Sequence, residues 1–245
     1  PDRLSIHYLQ IMKYKIICIV ILLAVGQGST PSFIGETLHY SAGFRFFPAG
    51  NATLSMETDS LEDKMVYLLT STVTTNSFLS NFFKVSDIVK SWLSPNNLSL
   101  KKTVQTIREG RHHRDHEASI VGDSVAISLQ GSIKLPGMVY DPVAYVYYLR
   151  MQTLLIGNRY KFFSYGERNM KEVFVDVMGV ETIKVPAGIF RCFKIEPVSG
   201  DGKPLLKNNG AMRVWLSEDS LHFPVKIEQN TNIGTMVMKL KAISH

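Results

Sequence analysis

Cysteine is nearly absent. Cys18 and Cys192 are the only two in 245 residues. Cys18 lies in an apolar run near the start, so a chain that loses that run keeps one thiol and no internal disulfide. Its fold must then be held by a packed core. In Cys192-Phe-Lys-Ile195 the thiol lies on a strand pattern and reads as a small buried hydrophobe, without the marked base that a catalytic thiol needs. Blocks of five or more like charges are also missing. The formal net charge is +6, and its positives are scattered: Lys101, Lys102, Arg111, Arg114, Arg168, Lys171, Lys239 and Lys241. That pattern argues against nucleic acid and leaves at most a weak preference for anionic surfaces. No Gly-x-Ser-x-Gly, His-Glu-x-x-His, P-loop or Gly-x-Gly-x-x-Gly occurs, so no cofactor is expected and an enzyme is disfavoured. A triad assembled from distant positions stays open. Repeats of fixed period and low-complexity linkers are lacking too, which leaves one domain.

What the chain does have begins with a leader. Lys13 and Lys15 precede the apolar run Ile16 to Ala24, and Gly26 and Gly28 follow at −3 and −1 spacing. This is the pattern of a cleavable signal peptide, cut near Gly28-Ser29, with Met12 as the start and residues 1–11 upstream of it. The run is shorter than the ~20 residues that span a bilayer, so no transmembrane span is expected after cleavage. The surroundings of Cys18 do not suggest lipidation. Residues 29–245 form the single domain, roughly 215 residues, enough to bury ~70% of the unfolded surface.

From Glu36 onward the chain alternates. Leu38, Tyr40, Ala42, Phe44 and Phe46 share one face of a first strand, and Ala52, Leu54 and Met56 continue on a return strand. About a dozen strands follow one another, punctuated by Gly and Pro turns, without βα alternation. Lys171–Val177 and Glu181–Val185 read as separate strands, 131–140 as a loop, and Asn76–Phe83 as either a helical turn or a strand bend. The fold class is all-β, an antiparallel meander closed or strongly curved into a barrel-like sheet. One main helix interrupts it at about 141–152. Asp141 caps it, Pro142 suits its first position, and Val143, Tyr145, Val146, Tyr147, Tyr148, Leu149 and Met151 make it apolar nearly all round. Such a helix belongs inside the curve of the sheet.

Candidate site residues are few. Tyr145, Tyr147 and Tyr148 could line a ligand cavity, because aromatic walls with a few hydroxyls suit amphiphiles. Core packing competes with that reading. Arg150 could complete the site or make a structural pair, and Trp215 with Asp219 suits either a ligand contact or a strand-end turn. In Arg111-His-His-Arg-Asp-His-Glu117, the side chains of His112, His113 and His116 are of metal-ligating type. Arg114 opposes a cation there, so a polar solvated hairpin with no metal is expected.

Several blocks resemble one family. Gly35-Glu-Thr-Leu-His-Tyr40 followed by Phe47-Pro-Ala-Gly50-Asn-Ala-Thr-Leu54 is similar to the opening of the domain of unknown function 3108 family. Val85-Ser-Asp87 with Ser91, Asp141 through Arg150 with Gly157, Pro186-Ala-Gly188-x-Phe190, and Val214-Trp-Leu-Ser-x-Asp219 with Pro224-Val225 resemble its later blocks. His39 stands where the chain departs from that pattern. The resemblance implies an uncharacterised exported protein of Gram-negative envelopes, periplasmic or associated with the outer membrane, and supplies no catalytic residue. A fainter similarity links Trp215 to Asp219, Pro224 to Glu228 and the Gly234 hairpin with periplasmic lipoprotein carriers. The expected function is a non-catalytic binding or scaffolding protein for a lipid, a glycan or an envelope protein. The alternative is a hydrolase acting on an envelope polymer.

Overall fold

The structure, a computed structural model, describes residues 30–44, 47–81, 83–166, 169–204, 210–231 and 234–245. The leader, with Met12, Cys18 and the cleavage site, lies outside them, as does Phe46.

Residues 32–245 form one unit, with fourteen strands among the described residues. The first eight are β1 Thr37–Phe44, β2 Phe47–Leu61, β3 Lys64–Thr75, β4 Ser86–Leu93, β5 Leu100–Glu109, β6 His112–Val121, β7 Val125–Ser128 and β8 Gly131–Lys134. The remaining six are β9 Arg159–Gly166, β10 Asn169–Val185, β11 Gly188–Ser199, β12 Ala211–Ser217, β13 Pro224–Thr231 and β14 Gly234–Ser244. Helix α1 is one turn, Ser77–Ser80, and helix α2 runs Pro142–Arg150. All fourteen strands join one sheet in the order 8-7-6-5-4-3-2-1-14-13-12-11-10-9. Every named pairing is antiparallel, and only β1–β14 joins strands distant in sequence. The sheet is barrel-like but not closed; β8 and β9 are its edges.

Sequence explains most of these strands. Leu38, Tyr40, Ala52, Leu54 and Met56 are buried on the concave face, as the alternation requires. Glu62 and Asp63 form the two-residue β2–β3 turn with φ of 51° and 60°, the positive-φ pair that suits the twist of a hairpin. Gly50 has no room for a side chain: a Cβ there would sit 1.9 Å from the Thr74 carbonyl oxygen.

Two local readings change and one open reading is decided. Residues 169–185 make one long strand, because the irregularity between Val177 and Gly179 bends the ladder to β11 without ending it. Within 131–140 the first four residues pair with β7, since Gly131 at φ 118° permits a tight return. The ambiguous stretch at 76–83 contains the turn α1.

The passage from edge β8 to edge β9 spans the open side of the curved sheet, where consecutive residues bond first to β5 and then to β9. Val139 accepts a hydrogen bond from the Leu100 N–H at 2.8 Å. Tyr140 exchanges backbone bonds with Phe163 and Tyr165, at 2.9 and 3.0 Å, and so pairs part of the β9 edge. Helix α2 follows. Asp141 caps it, its Oδ1 accepting from the N–H of Val143 at 2.8 Å and of Ala144 at 3.2 Å. Its buried residues point both ways. Ala144 and Tyr147 join one core with β1–β7 residues such as Leu38, Leu69 and Leu100, and Tyr145, Val146 and Leu149 join a second with β9–β13. The helix is therefore apolar round its circumference because it separates two halves of the interior.

Candidate functional site

Two arrangements meet at helix α2. The first is a buried ion pair. Arg150 Nη1 and Nη2 donate to Glu36 Oε1 and Oε2 at 2.6 and 2.9 Å, and Nε donates to the Leu221 carbonyl at 3.0 Å. Both side chains are 2% exposed or less. The guanidinium lies 5.0–5.2 Å from the ring centres of Phe33, Tyr147 and Phe223. Such forked, fully bonded pairing is the condition under which charges tolerate burial. It ties the helix end to the segment before β1 and to the β12–β13 turn. Asp219 shapes that turn by accepting from Ser217 Oγ and the Leu221 N–H.

The second arrangement is an apolar cleft of about 80 Å³ between the helix and the concave face of β9–β12. Pro142, Tyr145, Val146 and Leu149 line the helix side; Phe162, Val173, Val175, Ile195 and Val214 line the sheet side. Ser164, Pro197 and Met212 are its half-buried members. Tyr145 stacks on Phe162 with ring centres 3.6 Å apart, and Tyr148 stacks on Tyr145 at 5.3 Å. Tyr140 meets Tyr145 edge-on at 5.3 Å. Burial pushes the Tyr140 hydroxyl up to about 12 and the Tyr145 hydroxyl higher still. The wall therefore offers stacked aromatic faces and no Asp, Glu, Lys or Arg side chain.

The structure divides the expected site residues. Tyr145 and Tyr148 come together beside the cleft. Tyr147 turns the other way, fully buried against Phe33, and burial also raises its hydroxyl pKa. Arg150 is consumed by Glu36. Trp215 follows Val214 in β12 but does not itself line the cleft. It is buried under Lys226, whose Nζ lies 4.1 Å from a ring centre, and its Nε1 donates to Glu181 at 2.9 Å.

The three histidines do not converge, and no metal-binding group of His, Cys, Asp and Glu occurs among the described residues. His112 and His113 are exposed, whereas His116 is buried on the concave face, which corrects the reading of a wholly solvated hairpin. Strand alternation forces this: His116 shares its face with Ala118 and Ile120. Asp115 is engaged by Arg108 and Glu117 by Lys102. His116 belongs to an inner polar seam. Its Nε2 lies 3.5 Å from the Tyr165 hydroxyl, and it pairs across the ladder with Gln105. Gln105 donates to Thr103 at 3.5 Å and accepts from Arg114 at 3.3 Å. None of these seam residues lines the cleft. The Cys192 thiol is fully buried, and its pKa is pushed up to about 12 by burial and by Asp219 and Glu218. It stays protonated and inert.

Sequence reasoning missed Glu36 and the sheet wall of the cleft. An acidic residue directly before the first strand was a signal for Glu36. The inward positions of β9–β12 were legible as alternation, but nothing local says that they face a helix.

The blocks that join this architecture, from β1 through Asp141–Arg150 to the closing strands, match one family model over residues 37–241, a protein of unknown function (DUF3108). The chain belongs to the DUF3108 family. No curated protein matches its sequence. Among solved structures, it is similar to a β-barrel-like protein of the domain of unknown function DUF1849 from Brucella abortus. The TM-score is 0.58 at 9% identity, over 85% of this chain and 96% of that one. That likeness shows the shared fold of this DUF3108 protein. Weaker likenesses join it to a Bacteroides fragilis protein described as exported, with a YmcC-like fold (TM-score 0.35, 12% identity, 88% of this chain and 98% of that). A Parabacteroides distasonis protein described as a lipoprotein is also similar (TM-score 0.37, 12% identity, 87% and 97%).

Proposed function

We propose that this DUF3108 protein is an exported, non-catalytic envelope protein that binds the apolar part of an amphiphile in the cleft beside α2. The carrying observation is the lining. Eleven of the twelve cleft residues are apolar or aromatic and one, Ser164, is a small hydroxyl. Ligand sites built this way take apolar groups and orient them with few polar contacts. The size sets a limit. An engineered apolar cavity of about 150 Å³ holds one benzene. A cleft of about 80 Å³ therefore takes a short stretch of hydrocarbon, the end of a lipid tail, unless α2 shifts.

The cleft is lined by no Asp, Glu, His, Cys, Lys or Arg side chain, so it offers no acid–base pair, and this supports binding over hydrolysis there. The leader pattern supports export, with the periplasm or the outer-membrane surface as the place of action.

Native mass spectrometry of protein purified from its own host tests the reading. A copurifying lipid is expected, and Val175→Trp, which fills the cleft, should release it while the fold is kept. A lipid retained equally by the filled variant, or none in either protein, refutes the cleft as its site.

A further inference from the structure

Exposed aliphatic side chains gather where α2 and β10 run out of the cleft. Leu155, Ile156 and Met178 are 56%, 63% and 55% exposed, and Met151 at the end of the helix is 39% exposed. We propose that this patch docks on the surface of a lipid bilayer and inserts Leu155, Ile156 and Met178 at the boundary of headgroups and acyl chains. Backbone pairing brings the patch together. The Gly157 N–H donates to the Val177 carbonyl at 2.9 Å, and the Val177 N–H donates to the Asn158 carbonyl at 3.0 Å. Ile156 and Met178 are the next residues on either side of that contact. Val177 pairs with Ile195 and Gly179 with Lys194, so Met178 is an extra residue at a bulge. Bulges re-aim a side chain, here to the exterior. The turn itself is fixed. Leu154 is buried in the core that backs the cleft, and Gly157 turns the chain at φ 85°. The Asn158 N–H closes the turn on the Leu155 carbonyl at 3.0 Å, and the Tyr160 hydroxyl donates to the Thr153 carbonyl at 2.9 Å.

Charge, backbone bonding and size select a bilayer. Residues 151–158 and 177–180 contain no Asp, Glu, Lys, Arg or His. The flanking charges, Arg159 and Asp176, neutralise each other through two bonds of 2.6 and 2.8 Å. The turn bonds its backbone groups internally, as contact with acyl chains demands. A stable protein interface uses about 20–30 residues a side, far more than this cluster supplies. Other exposed aliphatics fail these conditions. Ile127 and Leu129 belong to the β7–β8 hairpin, whose outer strand is a sheet edge, where unpaired backbone groups penalise insertion. Ile189 stands opposite Lys184. The patch is also continuous with the cleft. Leu149 and Val175 line the cleft on the helix and sheet sides, and Met151 and Val177-Met178 continue those two walls. Docking here sets the cleft at the membrane surface; that link to lipid uptake rests on the cleft reading above, whereas docking itself does not.

Flotation with vesicles of phosphatidylethanolamine and phosphatidylglycerol, read beside native mass spectrometry of the same proteins, tests this. The protein should be half bound at roughly 0.1–1 mM lipid, the range of a single short anchor. Leu155→Ser combined with Ile156→Ser should weaken binding about tenfold or more, since each methylene withdrawn from the acyl region costs roughly fourfold. Leu129→Ser, on the β7–β8 turn, and Val175→Trp, inside the cleft, should float as wild type does. Lipids brominated on their acyl chains should quench the added fluorescence of Ile156→Trp and not that of Leu129→Trp, which locates the inserted residue even where the serine variant is unstable. No flotation at roughly 10 mM lipid, equal flotation by the serine variant, loss of flotation in Val175→Trp, or equal quenching at 129 and 156 would each overturn the docking. A lipid that copurifies with a protein that does not float overturns the docking and leaves the cleft reading standing. A protein that floats and is quenched at 156 but carries no copurifying lipid supports the docking and counts against the cleft.

Discussion

The Glu36–Arg150 pair gives the sharpest test of how this interior is held. Replace Glu36 with Leu and Arg150 with Met, singly and together. Each single change leaves one charge with both bonds cut in a site that is 2% exposed or less. Breaking a buried pair from one side costs about 3–5 kcal/mol, because an uncompensated charge stays inside. Arg150→Met keeps the aliphatic stem against Phe33, Tyr147 and Phe223 but also deprives the Leu221 carbonyl of its donor, about 1 kcal/mol. The double variant has no buried charge left and loses only that last bond and some fit. Its expected cost is about 1–2 kcal/mol, less than either single change. Additivity would instead give roughly 6–10 kcal/mol, enough to unfold most domains of this kind. Urea denaturation of the four proteins reads the difference in midpoint, with an unchanged slope showing that the unfolding unit is the same. A double variant as unstable as the two singles summed would refute the argument, and with it the view that Arg150 belongs to the core.

Other outcomes follow from the same geometry. Leu149→Ala should cost about 2–5 kcal/mol in chemical denaturation, whereas Tyr147→Phe should be neutral or slightly stabilising, because the Tyr147 hydroxyl is buried without a partner. The pKa of Asp141 is raised chiefly by burial, against the lowering effect of its two backbone bonds and of Ser91. A raised carboxyl binds its proton more tightly in the fold than in the unfolded chain, so stability is lost as pH rises from about 4 through the folded pKa. Asp141→Asn, which still caps, should remove that loss, and stability curves at pH 4 and 7 that stay parallel to wild type would contradict it. With its pKa pushed up to about 12, Cys192 should be alkylated by iodoacetamide at pH 8 only after denaturation, since about one thiol in ten thousand is ionised in the fold. Replacing His112 and His113 with Gln should change stability by less than about 0.5 kcal/mol, whereas His116→Ala should cost clearly more.

The sequence by itself determined what period and local chemistry encode. Alternation at Leu38, Tyr40, Ala52, Leu54 and Met56 specified strands with one buried face, since a period of two admits no other arrangement. The run of turns without βα units specified a meander, and Asp141-Pro142 specified where a helix starts, because capping is a contact between near neighbours. The all-round apolarity of α2 even announced that it would be enclosed. Only the tertiary structure decided which side chains met. Glu36 and Arg150 are 114 positions apart, and their pairing depends on where a helix crossing from β8 to β9 lands against the start of β1. The same crossing sends Tyr145 and Tyr148 to the cleft and Tyr147 away from it, although the three are near neighbours in sequence. Periodicity says that a face is buried; only the curvature of the whole sheet says against what.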